Sequence, residues 1–502
     1  MNQLAKIFTR AADGLEAPLV SIEVHISGGL PCFSIVGLPE GAVKESKDRV
    51  RSALMNSKYR FPTQRITVSL APANLPKSGG RYDLGIALGL LIASGQLKPV
   101  KDINNFEFYG ELGLDGSVHG TEGLLPALVQ GFSAKSHLVI PMENVDESAL
   151  VREAKIYSCN HLLKICGFLS GIDDIEQLQI NKPLPKIGGL DFSQVKGQHQ
   201  AKRAMEVAAS GGHNLLLIGP PGAGKTMLSE RLPSILPPLT KEQALERASI
   251  YSVAGQSVSI AELRTPPFRS PHHTCSAVAL AGGGAIPRPG EISLAHQGVL
   301  FLDELPEFPR AALEVLRQPM ENGVVHLSRA AKQVSFPANF QLIGAMNPCP
   351  CGYFGDGSQK CHCTEDQVSK YRSKISGPLL DRIDMVLELP PLPKELLLPN
   401  DNEETIENSE SIRERVLNAY NTQLERQGKS NDRLLSDEVD KLLKLNANDR
   451  NLLETMIEKL SLSARAYYRT IKVARTIADL DKSAKIQRTH LIEAVSYHRF
   501  NY

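Results

Sequence analysis

A glycine-rich stretch near the middle of the chain constrains the fold more than any other feature. The apolar run Leu215–Ile218 is followed at once by Gly219-Pro-Pro-Gly-Ala-Gly-Lys-Thr226, and Met227–Leu232 can open a helix. Strand, glycine loop and helix together favour phosphate binding, because the backbone N–H groups of the loop and the helix N-terminus attract an anion. The sequence therefore predicts an α/β unit with an ATP site at the carboxyl end of a strand.

Each part of this loop has a chemical role. Glycines allow the backbone to curl around the phosphates, Lys225 reaches the β- and γ-phosphates, and Thr226 holds Mg²⁺. The residues predicted to bind the nucleotide are Gly219, Pro220, Pro221, Gly222, Ala223, Gly224, Lys225, Thr226 and Met227.

A second motif further along the chain completes the predicted site. The apolar run Val299–Leu302 ends in Asp303 and Glu304. Many buried strands end in acids, so this pattern alone is weak, but after a phosphate loop it is strong. We expect Asp303 to hold Mg²⁺ together with Thr226 and Glu304 to deprotonate the attacking water.

The bulk numbers are ordinary for a globular protein. The 502 residues include 56 basic and 55 acidic side chains, which give a formal net charge of +1. Any anionic partner must therefore contact local basic patches. Residues 1–19 lack the apolar core of a signal peptide, and the apolar stretch Leu84–Ser94 is too short to span a bilayer. These features predict a cytoplasmic protein with no membrane partner.

Composition and periodicity divide the chain into three parts joined by one linker. We expect an α+β domain over 1–180, a proline-containing linker over 181–187, an ATPase core over 188–390 and a helical domain over 391–502. In the first domain the patterns predict strands over Leu19–Ile26, Cys32–Val36, Ile66–Ala71 and Phe106–Tyr109, and helices over Gly41–Met55 and Leu84–Ala93.

Four of the eight cysteines lie within fifteen residues. Cys349 and Cys351 form one close pair, and Cys361 and Cys363 form another. Two such pairs can surround one structural Zn²⁺, with His362 as an alternative ligand, whereas free or redox-active thiols are the other interpretation. The remaining four cysteines are scattered and are expected to be plain core thiols.

These motifs resemble the magnesium-chelatase-like branch of the AAA+ ATPases and, more closely, the ComM/YifB family, along essentially the whole chain. The resemblance implies a helical lid after the ATPase core and assembly into a homohexameric ring. It also implies that Asp191–Gly197 packs on the adenine, that Asn347 is a sensor that polarises the water, that Arg382 is an arginine finger and that Arg465 is a second sensor.

Two segments are candidates for contact with DNA. The residues from Gly323 to Ser335 read as two short strands with Arg329 and Lys332 at the tip, and the family resemblance places a pore hairpin here; a solvated hairpin is the alternative. The irregular insert from Pro267 to Gly290 includes the pair His272-His273 and is expected to contact the pore or an interface, with metal binding as a less favoured interpretation.

The N-terminal part resembles the proteolytic domain of Lon-type proteases, which use a serine nucleophile and a lysine base. The segment Pro76–Gly89 has Asp83 at the place of the serine, and Leu125 stands at the place of the lysine. An aspartate cannot serve as this nucleophile, and a leucine cannot take a proton from it. We therefore expect a non-catalytic, ribosomal S5-like module. Lys44, Lys47, Arg49 and Arg51 give it a basic helix face that could contact duplex DNA or simply be solvated.

Three functions are consistent with these features. The favoured one is an ATP-driven hexameric DNA motor, a helicase or branch-migration factor that acts on single-stranded, forked or branched DNA during homologous recombination and natural transformation. The alternatives are a metal-chelatase motor subunit and an ATP-dependent protease-like remodeller. The metal-binding sequence Asp-x-Ser-x-Ser of the partner chelatase subunit is not found in this chain.

Overall fold

The computed structural model describes residues 3–178, 189–259, 262–284, 287–329, 332–355, 360–391, 407–443, 445–460 and 463–498. The chain forms two compact units. Unit 1 comprises residues 1–185 and 245–263, and unit 2 comprises residues 186–244 and 264–502. The linker predicted over 181–187 lies outside the described residues.

Unit 1 is a seven-stranded mixed sheet with helices packed against it. The sheet has the order β3-β4-β2-β1-β5-β8-β9. The strands are β1 (Leu4–Arg10), β2 (Leu19–Ser27), β3 (Cys32–Val36), β4 (Arg65–Ala71), β5 (Phe106–Phe108), β6 (Glu111–Leu112), β7 (Val118–His119), β8 (His137–Pro141) and β9 (Lys155–Cys159). The helices are α1 (Gly41–Asn56), α2 (Asp83–Ala93), α3 (Leu125–Ser133), α4 (Val145–Ser148) and α5 (Leu162–Ser170).

The core of unit 1 follows from two sequence patterns. Strands β2 and β4 alternate buried and partly exposed residues, so one face of the sheet is apolar. Helix α2 is apolar on almost every side and is buried along almost its whole length. It packs on that face together with α1, and the side chains of β1 and β2 complete the cluster.

One segment packs away from its sequence neighbours. Residues 245–263 belong to unit 1 although they lie within the predicted ATPase core. Ala248 is buried in a cluster with Leu125 and Leu150, and Ser252 Oγ donates a hydrogen bond to Glu147. This packing explains why the compact units differ from the predicted division by sequence, which itself stays a prediction.

Unit 2 contains the P-loop. Its strands are β10 (Leu215–Ile218), β11 (Phe268–Arg269), β12 (Gly282–Gly283), β13 (Arg288–Pro289), β14 (Val299–Leu302), β15 (Val324–Arg329), β16 (Lys332–Pro337), β17 (Gln341–Met346) and β18 (Met385–Glu388). The five-stranded sheet has the order β11-β14-β17-β10-β18, and all its neighbouring strands are parallel. The carboxyl ends of these strands therefore lie at one edge.

The helices of unit 2 cover this sheet and form the C-terminal lid. They are α6 (His199–Gly211), α7 (Lys225–Arg231), α8 (Lys241–Val253, which continues into unit 1), α9 (Ala277–Ala281), α10 (Glu291–Leu294), α11 (Arg310–Glu314), α12 (Arg317–Asn322), α13 (Glu365–Arg372), α14 (Gly377–Leu380), α15 (Ser409–Gln427), α16 (Ser436–Leu442), α17 (Ala447–Lys459), α18 (Ala464–Leu480) and α19 (Arg488–Ser496).

The lid and the sheet share one hydrophobic core. Buried residues of α15, α18 and α19 cluster with those of α6, β10 and β17. Polar bonds cross the same contact, because Gln423 of α15 donates to the backbone oxygen of Ser210 at 3.0 Å and His213 lies 2.7 Å from Thr476 of α18. The predicted fold class is thus confirmed: a parallel α/β core with an α+β domain before it and a helical domain after it.

The insert from Pro267 to Gly290 is more ordered than its sequence predicts. It contains β11, the helix α9 and the short antiparallel pair β12–β13. These elements are too short to produce a hydrophobic period, which explains why the sequence reads as irregular. Separately, none of the helices in the described part of the chain is both long and apolar enough to cross a membrane.

Candidate nucleotide site and metal cluster

The P-loop joins β10 to α7 at the carboxyl edge of the sheet. β10 is fully buried between β17 and β18. Gly222 and Gly224 have φ of +80° and +81°, a left-handed region that glycine occupies without strain. The chain can therefore turn back sharply, and α7 begins at Lys225.

Three oxygens surround the ammonium group of Lys225. Its Nζ donates to the backbone oxygens of Gly219 at 2.6 Å and Pro220 at 3.1 Å, and to Oδ1 of Asn347 at 3.1 Å. Burial lowers the pKa of Lys225, and the two carboxylates after β14 oppose this shift. Asn347, which follows β17, is therefore in contact with the loop lysine, as a sensor of the phosphate end would be.

The predicted magnesium ligands are also adjacent. Thr226 Oγ1 donates to Asp303 Oδ2 at 2.8 Å, so a hydroxyl and a carboxylate, both suitable for Mg²⁺, face each other. The backbone N–H of Glu304 donates to Asp303 Oδ1 at 2.9 Å. Glu304 has a left-handed backbone with φ of +53°, so the chain turns directly after Asp303, the predicted Mg²⁺ ligand.

Glu304 has a partner that its sequence neighbourhood does not predict. His273 Nδ1 lies 3.1 Å from Glu304 Oε2. The contact arises because β11 runs parallel beside β14, so that the residues after the two strands meet at one edge. The adjacent ring of His272 lies 4.1 Å from that of His273. The only signal in the sequence was the histidine pair, whose position relative to Glu304 depends on strand order.

We expect His273→Ala to lower kcat for ATP hydrolysis by about tenfold with little change in KM. The reason is that a hydrogen bond to a charged group contributes about 1.5 kcal/mol or more, and Glu304 would lose the partner that holds one of its carboxylate oxygens. His273→Asn, which keeps a donor, should retain most of the activity. Steady-state ATPase kinetics of both variants measure this, and equal activity of the alanine variant and wild type would contradict it.

The segment expected near the adenine lies against the P-loop and its helix. Gln198 Nε2 donates to the backbone oxygen of Ala223 at 3.1 Å. Arg231 of α7 donates through Nε to the backbone oxygen of Asp191 at 3.1 Å and through Nη2 to Oε1 of Gln194 at 2.5 Å. These bonds fix residues 191–198 beside the loop, and the adenine contact itself stays a prediction.

The two predicted arginines occupy different environments. Arg382 forms an ion pair with Glu321 and donates through Nη1 to the backbone oxygen of Pro378 at 2.6 Å. Arg465 is exposed in the first turn of α18, and it has no hydrogen bond or ion pair with other residues that the structure describes. In the described part of the chain, therefore, neither guanidinium has a hydrogen bond or ion pair with the P-loop.

The four clustered cysteines converge on one point. The sulfurs of Cys349 and Cys351 are 3.3 Å apart, and Cys361 Sγ lies 3.9 and 3.6 Å from them. All four ligand atoms, including that of Cys363, lie within 4.8 Å of one another. Sulfurs around a tetrahedral Zn²⁺ with Zn–S of about 2.3 Å are about 3.8 Å apart. The spacing therefore fits a bound metal ion.

The electrostatics of the cluster favour a thiolate. The backbone N–H of Tyr353 and then the thiol of Cys349 lower the pKa of Cys351 to about 6. Against the backbone N–H of Cys351, the side chain of Cys351 raises the pKa of Cys363 to about 11. Without a metal ion one thiolate is therefore shared within the cluster, and a metal ion that binds must displace the remaining thiol protons. His362 is not part of the group whose ligand atoms converge. Of the scattered cysteines, Cys159 and Cys166 are buried as expected, whereas Cys32 is exposed.

The cluster lies directly against the nucleotide loop. A Cβ atom placed on Gly352 would lie 2.7 Å from Cδ of Pro221, so this position must be glycine for the two loops to approach. Arg372 of α13 donates to the backbone oxygen of Pro348 at 3.3 Å. Asn347 precedes this segment immediately, and the cysteine loop therefore packs beside both the P-loop and Asn347.

In unit 1 the protease-like positions have structural partners. Asp83 is fully buried, accepts hydrogen bonds from Ser46 and, at 2.6 Å, from Arg49 Nε. Burial raises the pKa of Asp83, and Arg49 opposes the shift. Leu125 is buried in the core. Arg49, which the sequence places on a basic face, thus forms a salt bridge with the buried Asp83. This partly buried pair stands where the resemblance places a nucleophile.

The predicted hairpin is present. β15 and β16 pair antiparallel from Val324↔Pro337 to Arg329↔Lys332, so the two basic residues form the last pair of the hairpin. This places both at the tip, as the alternation of the sequence predicts. Whether the tip faces a pore is a property of an assembly and stays a prediction.

Comparison with known proteins decides the family. The model of magnesium chelatase subunit ChlI matches residues 191–397, a second model of the ChlI subunit matches residues 22–144, and a model of its C-terminal part matches residues 406–498. The competence protein ComM of Haemophilus influenzae is 46% identical over 503 residues, which cover 98% of this chain and 97% of ComM. The chain belongs to the ComM/YifB family.

Other relatives agree with this assignment. The uncharacterized protein YifB of Salmonella typhimurium is 47% identical over 494 residues, 98% of this chain and 97% of YifB. Lon protease 2 of Bacillus subtilis is 26% identical over 196 residues, 34% of this chain and 36% of the protease. The family is a magnesium-chelatase-like branch of the AAA+ ATPases, and membership indicates ATPase activity.

Proposed function

We propose that this chain is an ATP-driven, homohexameric DNA motor that promotes branch migration or unwinding during the recombination step of natural transformation. The ATPase part is supported by one arrangement: Lys225 contacts Asn347 while Thr226 contacts Asp303 at the same edge of the sheet. The DNA part is supported by the hairpin with its basic tip and by the name of a relative, competence protein ComM.

The residues present fit Mg²⁺ and ATP. Bound ATP would supply the phosphate bond that is broken, and Mg²⁺ would neutralise the charge that develops on it. Lys225 would bind the phosphate oxygens, and Thr226 with Asp303 would hold the metal. Glu304 takes the proton of the attacking water, with one oxygen fixed by His273.

A complete site requires a neighbouring subunit. Neither Arg382 nor Arg465 contacts the P-loop of its own chain in the described structure, although a P-loop ATPase gains about 10³–10⁵ in rate from an arginine that contacts the transferred phosphate. Arg382 lies next to α12 and α14, is partly buried and forms an ion pair with Glu321. If Arg382 contacts the nucleotide of the next subunit in a ring, hydrolysis depends on assembly.

The cysteine cluster is proposed to hold a structural Zn²⁺. Four thiolates leave no open coordination position, so the metal would fix the loop after Asn347 rather than take part in bond cleavage. Because Gly352 packs against Pro221, a metal that orders this loop also supports the shape of the P-loop.

We expect protein purified without chelator to contain about one Zn²⁺ per chain. Cys351→Ser should lose most of this metal and reduce ATPase activity indirectly, since the loop beside Asn347 loses a ligand. Elemental analysis and ATPase assays measure both effects. Cys275→Ser, a partly exposed cysteine outside the cluster, is the matched control. Metal-free wild-type protein with full activity would favour the free-thiol interpretation instead.

Replacing both Arg329 and Lys332 with alanine tests the DNA part. We expect weaker DNA binding. The affinity should also depend less steeply on salt, by the amount that about two phosphate contacts contribute, because each contact releases condensed counterions. The loss should be similar for unrelated sequences, since phosphate contacts do not read bases. Basal ATPase should survive, whereas DNA-stimulated ATPase and branch migration should fall together.

The same experiment separates the alternatives. Lys370→Ala together with Arg310→Ala, which removes two charges elsewhere in unit 2, is the charge-matched control. Equal affinities and equal salt slopes for wild type and the hairpin variant would remove the hairpin from the mechanism. Failure of wild type to bind forked DNA at low salt with an ATP analogue present would contradict the motor itself and leave a chelatase subunit or a protein remodeller.

A further inference from the structure

One exposed face of α1 is basic and has no part in the nucleotide site. Lys44, Lys47 and Arg51 are spaced three and four residues apart, so they share one face of this helix, and all three are exposed. Lys58, two residues after the helix ends, is exposed as well. We call these four residues the basic stripe.

The acidic residues of α1 neutralise the stripe only in part. Glu45 contacts Arg49 at 3.7 Å, and Arg49 turns to the buried Asp83 on the opposite side. Asp48 is exposed and lies on the same face of the helix, four residues after Lys44 and three before Arg51. No ion pair joins it to a stripe residue in the part of the chain that the structure describes, and the four basic residues outnumber it. The described structure likewise gives the stripe residues no carboxylate within the 4.0 Å of an ion pair.

An aromatic pair supports one end of the stripe. The guanidinium carbon of Arg51 lies 5.6 Å from the ring centroid of Phe61, and this ring stacks on Phe33 with centroids 6.2 Å apart. Such a cation–π contact restrains the guanidinium and so lowers the entropy lost when it binds an anion. Arg60 and Arg65, on either side of Phe61 in the sequence, are exposed and add positive charge.

We propose that the basic stripe binds the phosphate backbone of nucleic acid. Like charges held together on a rigid helix repel one another, and a polyanion relieves this repulsion. A rise of 1.5 Å per residue places Lys44 and Arg51 about 10 Å apart along the axis, whereas duplex DNA carries one charge per about 1.7 Å. Each cation can therefore contact a phosphate, without selecting a sequence.

This inference deepens the proposed function, on which it rests, because it assigns to unit 1 a DNA contact in addition to the hairpin of unit 2. It also gives the protease-like module a task that needs no nucleophile. The bond between Arg49 and the buried Asp83 fixes α1 against α2, so the residue that stands at the place of the serine also positions the helix that displays the stripe.

The test is a triple variant, Lys44→Gln, Lys47→Gln and Arg51→Gln, in the full-length protein. Affinity for duplex and for single-stranded oligonucleotides is measured by fluorescence anisotropy over a salt series. We expect affinity near 0.1 M salt to fall by about 10- to 100-fold and the salt slope to decrease by about two to three, since each lost phosphate contact removes about 0.9 from the slope. Basal ATPase and thermal unfolding should stay as in wild type.

Lys98→Gln, Lys135→Gln and Lys155→Gln form the matched control, because these exposed lysines of unit 1 give the same change of charge. An equal loss in the control would show an effect of bulk charge and overturn the inference. Unchanged DNA binding with a disrupted oligomer would overturn it too, and would make the stripe a subunit interface. If wild type and the triple variant bind DNA equally, the inference about the stripe is wrong and the proposed function still stands. If wild type does not bind DNA, the proposed function is wrong as well.

Discussion

Lys225→Ala should bind ATP at least about 10²-fold more weakly than wild type and should show no measurable turnover. The ammonium group of Lys225 is already held by three oxygens at the turn of the loop, and its removal leaves the charge of the β- and γ-phosphates without its main counter-ion. Titration with a fluorescent ATP analogue measures binding, and phosphate release measures turnover.

Two further variants make this result specific. Lys370→Ala removes an exposed lysine of α13 and should behave as wild type. Glu304→Gln should bind ATP normally and hydrolyse it about 10²–10⁴-fold more slowly, because only the general base is lost. Near-normal hydrolysis by Lys225→Ala would exclude this loop as the nucleotide site, and wild-type turnover by Glu304→Gln would exclude Glu304 as the base.

Arg382→Ala should retain nucleotide affinity and lose about 10³–10⁵ in hydrolysis rate, as expected for an arginine that acts only on the transition state. Mixing it with Lys225→Ala protein tests the action between subunits. A Lys225→Ala subunit still offers Arg382 to the intact P-loop of a neighbour, so mixed rings should recover part of the activity. Activity is measured over a range of mixing ratios.

The contact between Arg382 and Glu321 provides the control. Glu321→Gln removes the acidic partner within the chain but leaves Arg382 in place, so it should keep or raise activity, and a loss comparable to that of Arg382→Ala would show a structural role of the ion pair. If mixed rings form and no ratio restores hydrolysis, Arg382 does not act between subunits.

The six elements that the sequence predicts in unit 1 match the structure to within one residue at each end. β3 matches its predicted range, α1 extends one residue further and α2 begins one residue earlier. These elements were predictable because their apolar period shows which face is buried. The short strands of the insert were missed, since two residues cannot display a period. The placement of residues 245–263 with unit 1 was also missed, because chain continuity does not determine packing.

The residues of the candidate site also separate into those predictable from local sequence and those placed only by tertiary structure. The P-loop and the pair Asp303-Glu304 are local patterns in which strand, turn and helix are adjacent in the sequence, so their chemistry can be read directly. His273 could not be assigned, because its contact with Glu304 exists only where β11 lies beside β14. Arg49 was assigned to the wrong surface, since its partner Asp83 is 34 residues away.

The sequence by itself determined the fold class and the family and predicted the residues that bind nucleotide or metal, because residue type and local spacing limit what chemistry each segment can perform. The tertiary structure alone decided which segments meet. The order β11-β14-β17-β10-β18 brings His273, Glu304, Asn347 and Lys225 to one edge, and the packing of Gly352 on Pro221 joins the cysteine cluster to that edge. The physical reason is that strand order and helix packing follow from burial over the whole unit, to which residues far apart in the sequence contribute together.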